Sequence, residues 1–435
     1  MTRPSTRTYA FVGAATLAVS ALATGAVHAG SGGDGWTIDT ENCADPDRAN
    51  APIEGTLSIG SAMPLSGGVA AAAFAPAASG LQAYINYANE QEMLPGVEIQ
   101  LTIGDDQYNQ ELTPGVVTGL VDDGVQMFAG NIGTAQNLTV RDQLNEECIP
   151  HINLLTGDPA WGDEVADYPW TTGLLMPYDT ESQGYAQSIV DSFPDASVGL
   201  FYVNNEFGNV YMDAFRDAAD EVGLNIVTEQ TIENGDEAPP TAQLSALADE
   251  APDVIMATPL GAQCPAFMSE LANAKAADPG WDPAVYITST CASALILAVA
   301  GASADGLYTS ASMGLYDVAN PDVQDIEGVA AYAAEMEKQG FTDIITTASA
   351  GWNVGEVTVA ILQQAAASPE GLTQASIMNA ARSLDIHPSL LREGMEYISN
   401  GEEDPDYSED VQIVQWNFDD GFFTDIGDPY SFETS

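Results

Sequence analysis

The sequence predicts an α/β protein of two doubly wound, parallel-sheet lobes. Three observations point there. From Thr56 onward short β-rich runs alternate with longer helical patterns, a Gly-, Asp- and Pro-bearing break at 161–177 interrupts the rhythm, and a second series of the same kind follows. The first series has strand candidates at 57–63, 97–103, 125–129 and 149–154, separated by helical stretches at 75–92, 112–123 and 135–147. The second has strands at 197–203, 224–229, 253–258, 285–289 and 307–311, with helices at 181–193, 209–222, 241–250, 265–277 and 292–300. After 311 come helices at 323–339, 350–367 and 373–384 and one late strand at 411–416. That block lacks a sheet of its own, so we read it as the chain returning to both lobes, the alternative being a small C-terminal α domain. The expected lobes are 56–176 with 312–395, and 177–311 with 396–435.

Composition removes several function classes. The 435 residues carry 64 Asp and Glu against 9 Lys and Arg, a formal charge of −55, yet 45% are apolar, enough to build a core. So few scattered cations cannot form the basic face that phosphate neutralisation requires, which excludes nucleic acid as a partner and disfavours anionic membrane surfaces. Only Lys275 and Lys338 are lysines, and the acid is spread along the whole chain, the pattern of a surface suited to a saline medium.

Residues 1–29 combine Arg3 and Arg7, an apolar run from Tyr9 to Val19 and small residues at Val27 and Ala29, the signature of a cleaved export signal. An arm, 30–55, follows. Cys43 lies too far beyond the apolar run to be a lipid anchor. The other cysteines are Cys148, Cys264 and Cys291, an even set in an exported chain. Zinc is the other reading of four thiols, but no CxxC pair exists and the three histidines are scattered. Strand order sets the pairing: Cys264 and Cys291 each follow a consecutive strand and emerge at one edge of the second lobe. Cys148 precedes its strand, at the opposite edge of the first lobe and within reach of the arm. We therefore pair Cys264 with Cys291 and Cys43 with Cys148.

Ligands of open parallel sheets bind at the C-terminal strand ends, so each exit is a candidate. The first exit is Ser61-Ala62-Met63-Pro64-Leu65-Ser66-Gly67-Gly68, with Ser66 as its hydroxyl. The third is Gly130-Asn131-Ile132-Gly133-Thr134, with Thr134 read as a helix N-cap, and the fourth is Leu155-Thr156-Gly157-Asp158-Pro159. Hydroxyls, glycines and helix N-termini at one sheet edge suit a carboxylate or another small anion. Any one such loop is more simply a turn; three on one sheet make a site. No enzyme constellation accompanies them: Ser66 lacks the G-x-S-x-G elbow, and His151 falls inside a strand. No metal and no cofactor is called for, although acidic loops at 402–406 and 419–421 are conceivable calcium sites.

The segments "LSIGSAMPLSG", "GDDQYN", the 130–134 loop and "FYVNNEFG" together resemble the type I periplasmic binding proteins, specifically the branched-chain amino-acid class serving ABC importers. The resemblance runs from about Thr56 to Phe418. It implies two lobes joined by three crossover segments, a ligand enclosed when they close, a membrane permease as partner, a monomer, a periplasmic or secreted location and no catalysis. By position it implies that Gly133, Thr134, Leu155, Thr156 and Gly157 hold a ligand carboxylate, and that Phe207 covers the ligand where tyrosine is common. A second aromatic after Thr258 is replaced by Leu260-Gly261-Ala262-Gln263. At Ser289-Thr290-Cys291 an acid that would pair a ligand ammonium is replaced by Thr290. A buried ammonium without a carboxylate is costly. The ligand class implied is a branched-chain amino acid or a related amide or carboxylate. A sensor domain for a membrane receptor, or a hydrolase using the same cleft, are the alternatives.

Overall fold

The computed structural model describes residues 36–67, 69–236 and 238–432; the export signal expected at 1–29 lies outside them. In the first lobe, β1 (Gly55–Met63), β2 (Val97–Asp105), β3 (Met127–Ala129), β4 (His151–Leu154) and β5 (Thr171–Gly173) form a parallel sheet in the order β2-β1-β3-β4-β5. In the second, β6 (Ser197–Asn204), β7 (Asn225–Glu233), β8 (Val254–Thr258), β9 (Ala284–Ile287) and β10 (Tyr308–Ser310) pair in parallel as β7-β6-β8-β9-β10. The chain then adds the short strands β11 (Asp385–Ile386), β12 (Tyr397–Ile398) and β13 (Asp410–Val411). Next come β14 (Ile413–Asn417), β15 (Phe422–Asp425) and β16 (Tyr430–Ser431). β14 and β15 extend the second sheet antiparallel beyond β10.

The strands are short apolar runs because helices cover both faces. Along β3, Met127 and Ala129 point into the main core of the first lobe and Phe128 into a smaller cluster on the other face with Val117, Val140 and Leu144. Gly60 on the neighbouring strand leaves room for the Phe128 ring, which a Cβ would meet at 2.8 Å. The second lobe has its own core around Phe201, Phe215 and Phe267. Its helix Glu206–Val222 starts on Asn205, whose side chain accepts the Gly208 N–H, and stops at Gly223, which takes the left-handed φ of 77°.

Three segments cross between the lobes. Leu174 belongs to the first core and Met176 to the second, and Met313 returns the chain to the first. The last crossing comes later than the sequence suggests. Tyr397 and Tyr407 pack in the first core and only Val411 enters the second, so 396–409 stay with the first lobe instead of leaving it at 395. The 161–177 break also holds more than a linker, a short helix Ala160–Asp163 and the edge strand β5.

Both cysteine pairs are bridged. Cys43–Cys148 ties the arm to the turn before β4, and Cys264–Cys291 joins the first turn of the helix Gln263–Ala277 to the 3-10 turn Ser289–Cys291. The arm is further held by the Ile38 N–H on Asn379 Oδ1 at 2.7 Å and the Ile53 N–H on Leu372 O at 2.8 Å. Among the described residues no helix is long and apolar enough to cross a membrane.

Candidate functional site

In each sheet the strand order reverses at one point, between β1 and β3 in the first lobe and between β6 and β8 in the second. Such switch points leave a crevice outside the carboxyl ends of the strands. The two crevices face each other here. A cavity of 490 Å³ lies between them, lined by Gly67 and Thr134 from the exits of β1 and β3, and by Phe207 and Gln263 beyond β6 and β8.

Local hydrogen bonding decides which sequence candidates reach that cavity. Ser66 is exposed, and its hydroxyl and N–H both donate to Asp105, whose Oδ1 also accepts from Leu65 and Gln107. Burial alone would raise that carboxyl; the donors outweigh it and hold it below the usual range. Ser66 thus builds the loop, and its neighbour Gly67 reaches the cavity. Gly133 occupies φ 102° as the residue before the helix Thr134–Glu146, so Thr134 is the first helical residue and not the N-cap. The Gly133 N–H is directed to Leu155 O at 3.4 Å, and its carbonyl accepts from Asn137 Nδ2 at 2.7 Å. Freed from capping, the Thr134 hydroxyl sits 2.7 Å from Thr156 Oγ1, which lies 3.3 Å from the Tyr178 hydroxyl. This buried chain joins the two lobes. Burial, partly countered by Thr156, pushes the Tyr178 phenol up to about 12, so it is a neutral donor or acceptor.

Gly157 stands behind this chain, where a Cβ would meet Met176 O at 2.1 Å, so the crossover backbone can pass only a glycine. Phe207 is buried edge-on against Tyr178 at 5.4 Å and Tyr211 at 5.9 Å. Gln263 donates to Glu233 O and Asp236 O at 2.9 and 3.0 Å, fixing the loop after β7. Leu155 and Thr290 are not brought to the same place. They line a second cavity of 220 Å³ on the hinge side, with the Thr290 hydroxyl 3.2 Å from Thr288 Oγ1.

The partition between the cavities is a stacked pair, Phe74 on the hinge side and Tyr108 on the outer side, with centroids 5.4 Å apart. Tyr108 holds φ 56°, as does Gln107 before it. The two cavities differ in character. The outer one is walled by the carboxylates Glu111, Glu206 and Asp236 and by no Lys or Arg. The hinge-side one is largely apolar and includes one cation, Arg392. Phe74, Tyr108, Tyr178 and Arg392 were not found from the sequence. Arg392 had a signal in the scarcity of cations, and the others had none that marks a site. His151 is far from being a general base: burial, and then Arg141, lower it to about 3, and it sits between Asn131 and Asn137 in the first lobe.

The profile of the family described as "Periplasmic binding protein" matches residues 56–421. No curated relative matches the chain by sequence. Among solved structures, a fatty acid ABC transporter substrate-binding protein from Thermomonospora curvata is similar at 18% identity and a TM-score of 0.73, over 87% of this chain and 93% of that one. A branched chain amino acid ABC transporter from Thermus thermophilus with bound valine has the same identity and TM-score, over 87% and 97%. A possible leucine/isoleucine/valine-binding protein from Rhodopirellula baltica has 18% identity and a TM-score of 0.72, over 88% and 98%. At that identity these likenesses bear on the fold alone. The family match over most of the chain and the two parallel-sheet lobes around a cleft make this protein a member of the periplasmic binding protein family, with its type I fold.

Proposed function

We propose that the chain is the solute-capturing component of an ABC importer. It is exported by a cleaved 1–29 signal, acts as a monomer outside the cytoplasmic membrane, and hands its ligand to a membrane permease without chemical change. The ligand is a small polar or amphipathic solute carrying a carboxylate or amide, such as a branched-chain amino acid or a relative of one. The observation that carries this reading is the opposition of the two switch points across one cleft, bridged by the Thr134–Thr156–Tyr178 hydroxyl chain. On this reading Thr134, Thr156, Phe207 and Gln263 shape the outer part of the site and Leu155 and Thr290 its hinge side, while Ser66, Gly133 and Gly157 set the backbone. The similar protein from Thermus thermophilus holds valine and the one from Thermomonospora curvata is named for fatty acid, ligands that share a carboxylate.

Titration calorimetry and thermal melting of refolded, ligand-free protein against amino acids, amides, urea and small carboxylates test the reading. A ligand at about 100 times its Kd adds roughly 2.7 kcal/mol to stability. If neither that panel nor a broad metabolite mixture raises the melting temperature, the chain is not a solute-binding protein. Conversion of a bound ligand on overnight incubation would make it an enzyme.

A further inference from the structure

We propose that the hinge-side cavity is the specificity pocket, and that it takes an amphipathic monocarboxylate, an acid with an aliphatic or aryl chain and no α-ammonium, whose carboxylate meets Arg392. The inference rests on the solute-binding reading and narrows its ligand class. Three observations converge on it.

The walls come from both lobes and the hinge and are mostly hydrocarbon: Phe74, Leu155, Leu175, Met313, Leu315 and Trp416. A hydrophilic solute would gain little there. A hydrocarbon chain gains in proportion to the area it buries.

An anion has a place at the same wall. Arg392 is 8% exposed, and its Nε has no hydrogen-bond partner among the described residues. Its terminal nitrogens lie 3.0 and 3.5 Å from Asp425, a side chain 52% exposed and free to swing into water if an anion competes. The helix Ile345–Ala367 brings Thr346 and Thr347 of its first turn to this cavity, with no acidic residue in that turn and no side-chain cap. Its N-terminal dipole favours negative charge.

For an ammonium the described residues of this wall offer a single carboxylate, and it is already engaged. That carboxylate, Asp317, accepts from the Phe423 and Ala319 N–H groups at 2.8 and 3.0 Å and lies in the field of Arg392, while burial raises its pKa. Thr290 on this wall is uncharged, its hydroxyl 3.2 Å from Thr288 Oγ1. Glu111, Glu206 and Asp236 lie on the far side of the Phe74–Tyr108 pair. A zwitterion would leave its ammonium buried and poorly paired, a cost a plain acid avoids.

The test uses calorimetry on the full, oxidised chain with butyrate, hexanoate, octanoate and phenylacetate, against L-leucine, L-valine, octanol and octylamine. Affinity should rise roughly fourfold per added methylene, the equivalent of about 0.8 kcal/mol. Octanol and octylamine should bind at least tenfold more weakly than octanoate. Arg392→Gln should weaken octanoate at least tenfold and leave octanol unchanged. Ala294→Phe, which adds a ring to the pocket from the second lobe, should block every acid; if Arg392→Gln does not fold, this variant and the wild-type discrimination between acid, alcohol and amine decide. Leucine or valine tighter than octanoate, affinity independent of chain length, or octanol equal to octanoate would each overturn the inference while the solute-binding reading stands. Silence of every probe overturns it too, and the broader reading falls with it only if the metabolite mixture is also silent.

Discussion

The helices Val69–Glu90 and Ile345–Ala367 touch through glycines, and replacing one of these should separate them. A Cβ on Gly351 would lie 1.8 Å from Ala77 O, and one on Gly80 would lie 2.0 Å from Ala348 O. Ordinary contact starts near 3.4 Å, so Gly351→Ala demands a displacement of about 1.6 Å from a backbone carbonyl that has no rotamer to change. The surroundings resist it. Trp352, next along the helix, packs edge-on to Tyr84 at 4.9 Å and against Tyr87 at 5.8 Å, so sliding one helix along the other breaks these contacts as well. Overpacking of this kind costs about 1–3 kcal/mol or more, and the alanine recovers about 1 kcal/mol of helix propensity. With the upper end of that range applying to a rigid backbone clash, the net is a loss of about 2 kcal/mol, or a fall in Tm of roughly 2 °C for a chain of this size. The same helices carry Phe74, Ala77, Thr346 and Ala350 on the hinge-side cavity, so ligand affinity should fall with stability. Gly119→Ala is the control: it is exposed in the helix Thr113–Asp122, its Cβ would meet nothing within 4 Å, and it should gain up to about 1 kcal/mol. Thermal and urea unfolding of both variants decide. If Gly351→Ala is as stable as Gly119→Ala, the helices do not pack through these glycines.

Three further outcomes follow from the described contacts. Replacing Cys43 and Cys148 by Ser opens a loop with a sequence separation of 105 and should cost up to about 4.7 kcal/mol on chain-entropy grounds; unchanged urea unfolding, or a Cys43–Cys264 peptide in non-reducing digests, would contradict the pairing. Burial, then Asp179, Glu409, Asp163 and Asp404, push the Asp406 carboxyl up to about 7, so its proton-linked stability is full below the unfolded value near 3.9 and is lost as pH rises through 7. Asp406→Asn should therefore stabilise the protein at pH 8 and have little effect at pH 4, and equal effects at both would refute the burial argument. With a charge of −55, melting temperature should climb from 0.1 M to molar salt as the Debye length shrinks from about 10 to 3 Å; a flat or falling trend in the presence of chelator would disprove surface repulsion.

The legible parts of this fold are those with a period. Parallel strands covered on both faces read as short apolar runs and the helices as longer patterns, so β1 to β4 and β6 to β10 were visible in the sequence. β5 was not: three residues, Thr171–Gly173, joined to β4 across a register shift, carry no alternation. Strand order likewise put the cysteines at the right edges, because the edge at which a loop emerges follows from topology alone. The outer half of the site shares that logic, since Thr134, Phe207 and Gln263 each sit a few residues beyond a strand end. The hinge side does not, for Met313, Tyr316 and Arg392 come from aperiodic segments that meet only because the chain crosses between lobes.

Charge scarcity offers a signal where period offers none. A surface this acidic keeps few cations, so a cation that is buried has a local cause. Arg141, Arg382 and Arg392 are each less than a tenth exposed. Arg141 pairs with Glu164 at 2.6 Å and lies over Tyr168, and Arg382 donates to the carbonyls of Pro169 and Thr171, so both brace the chain that leads into and through β5. Arg392 instead lines the hinge-side cavity, and its salt-bridge partner there, Asp425, is half in water. A bracing role would be served equally well by a side chain turned away from the cleft. A buried guanidinium whose Nε has no partner among the described residues is costly unless negative charge comes near it, and that cost ties the position of this arginine to the chemistry of the ligand.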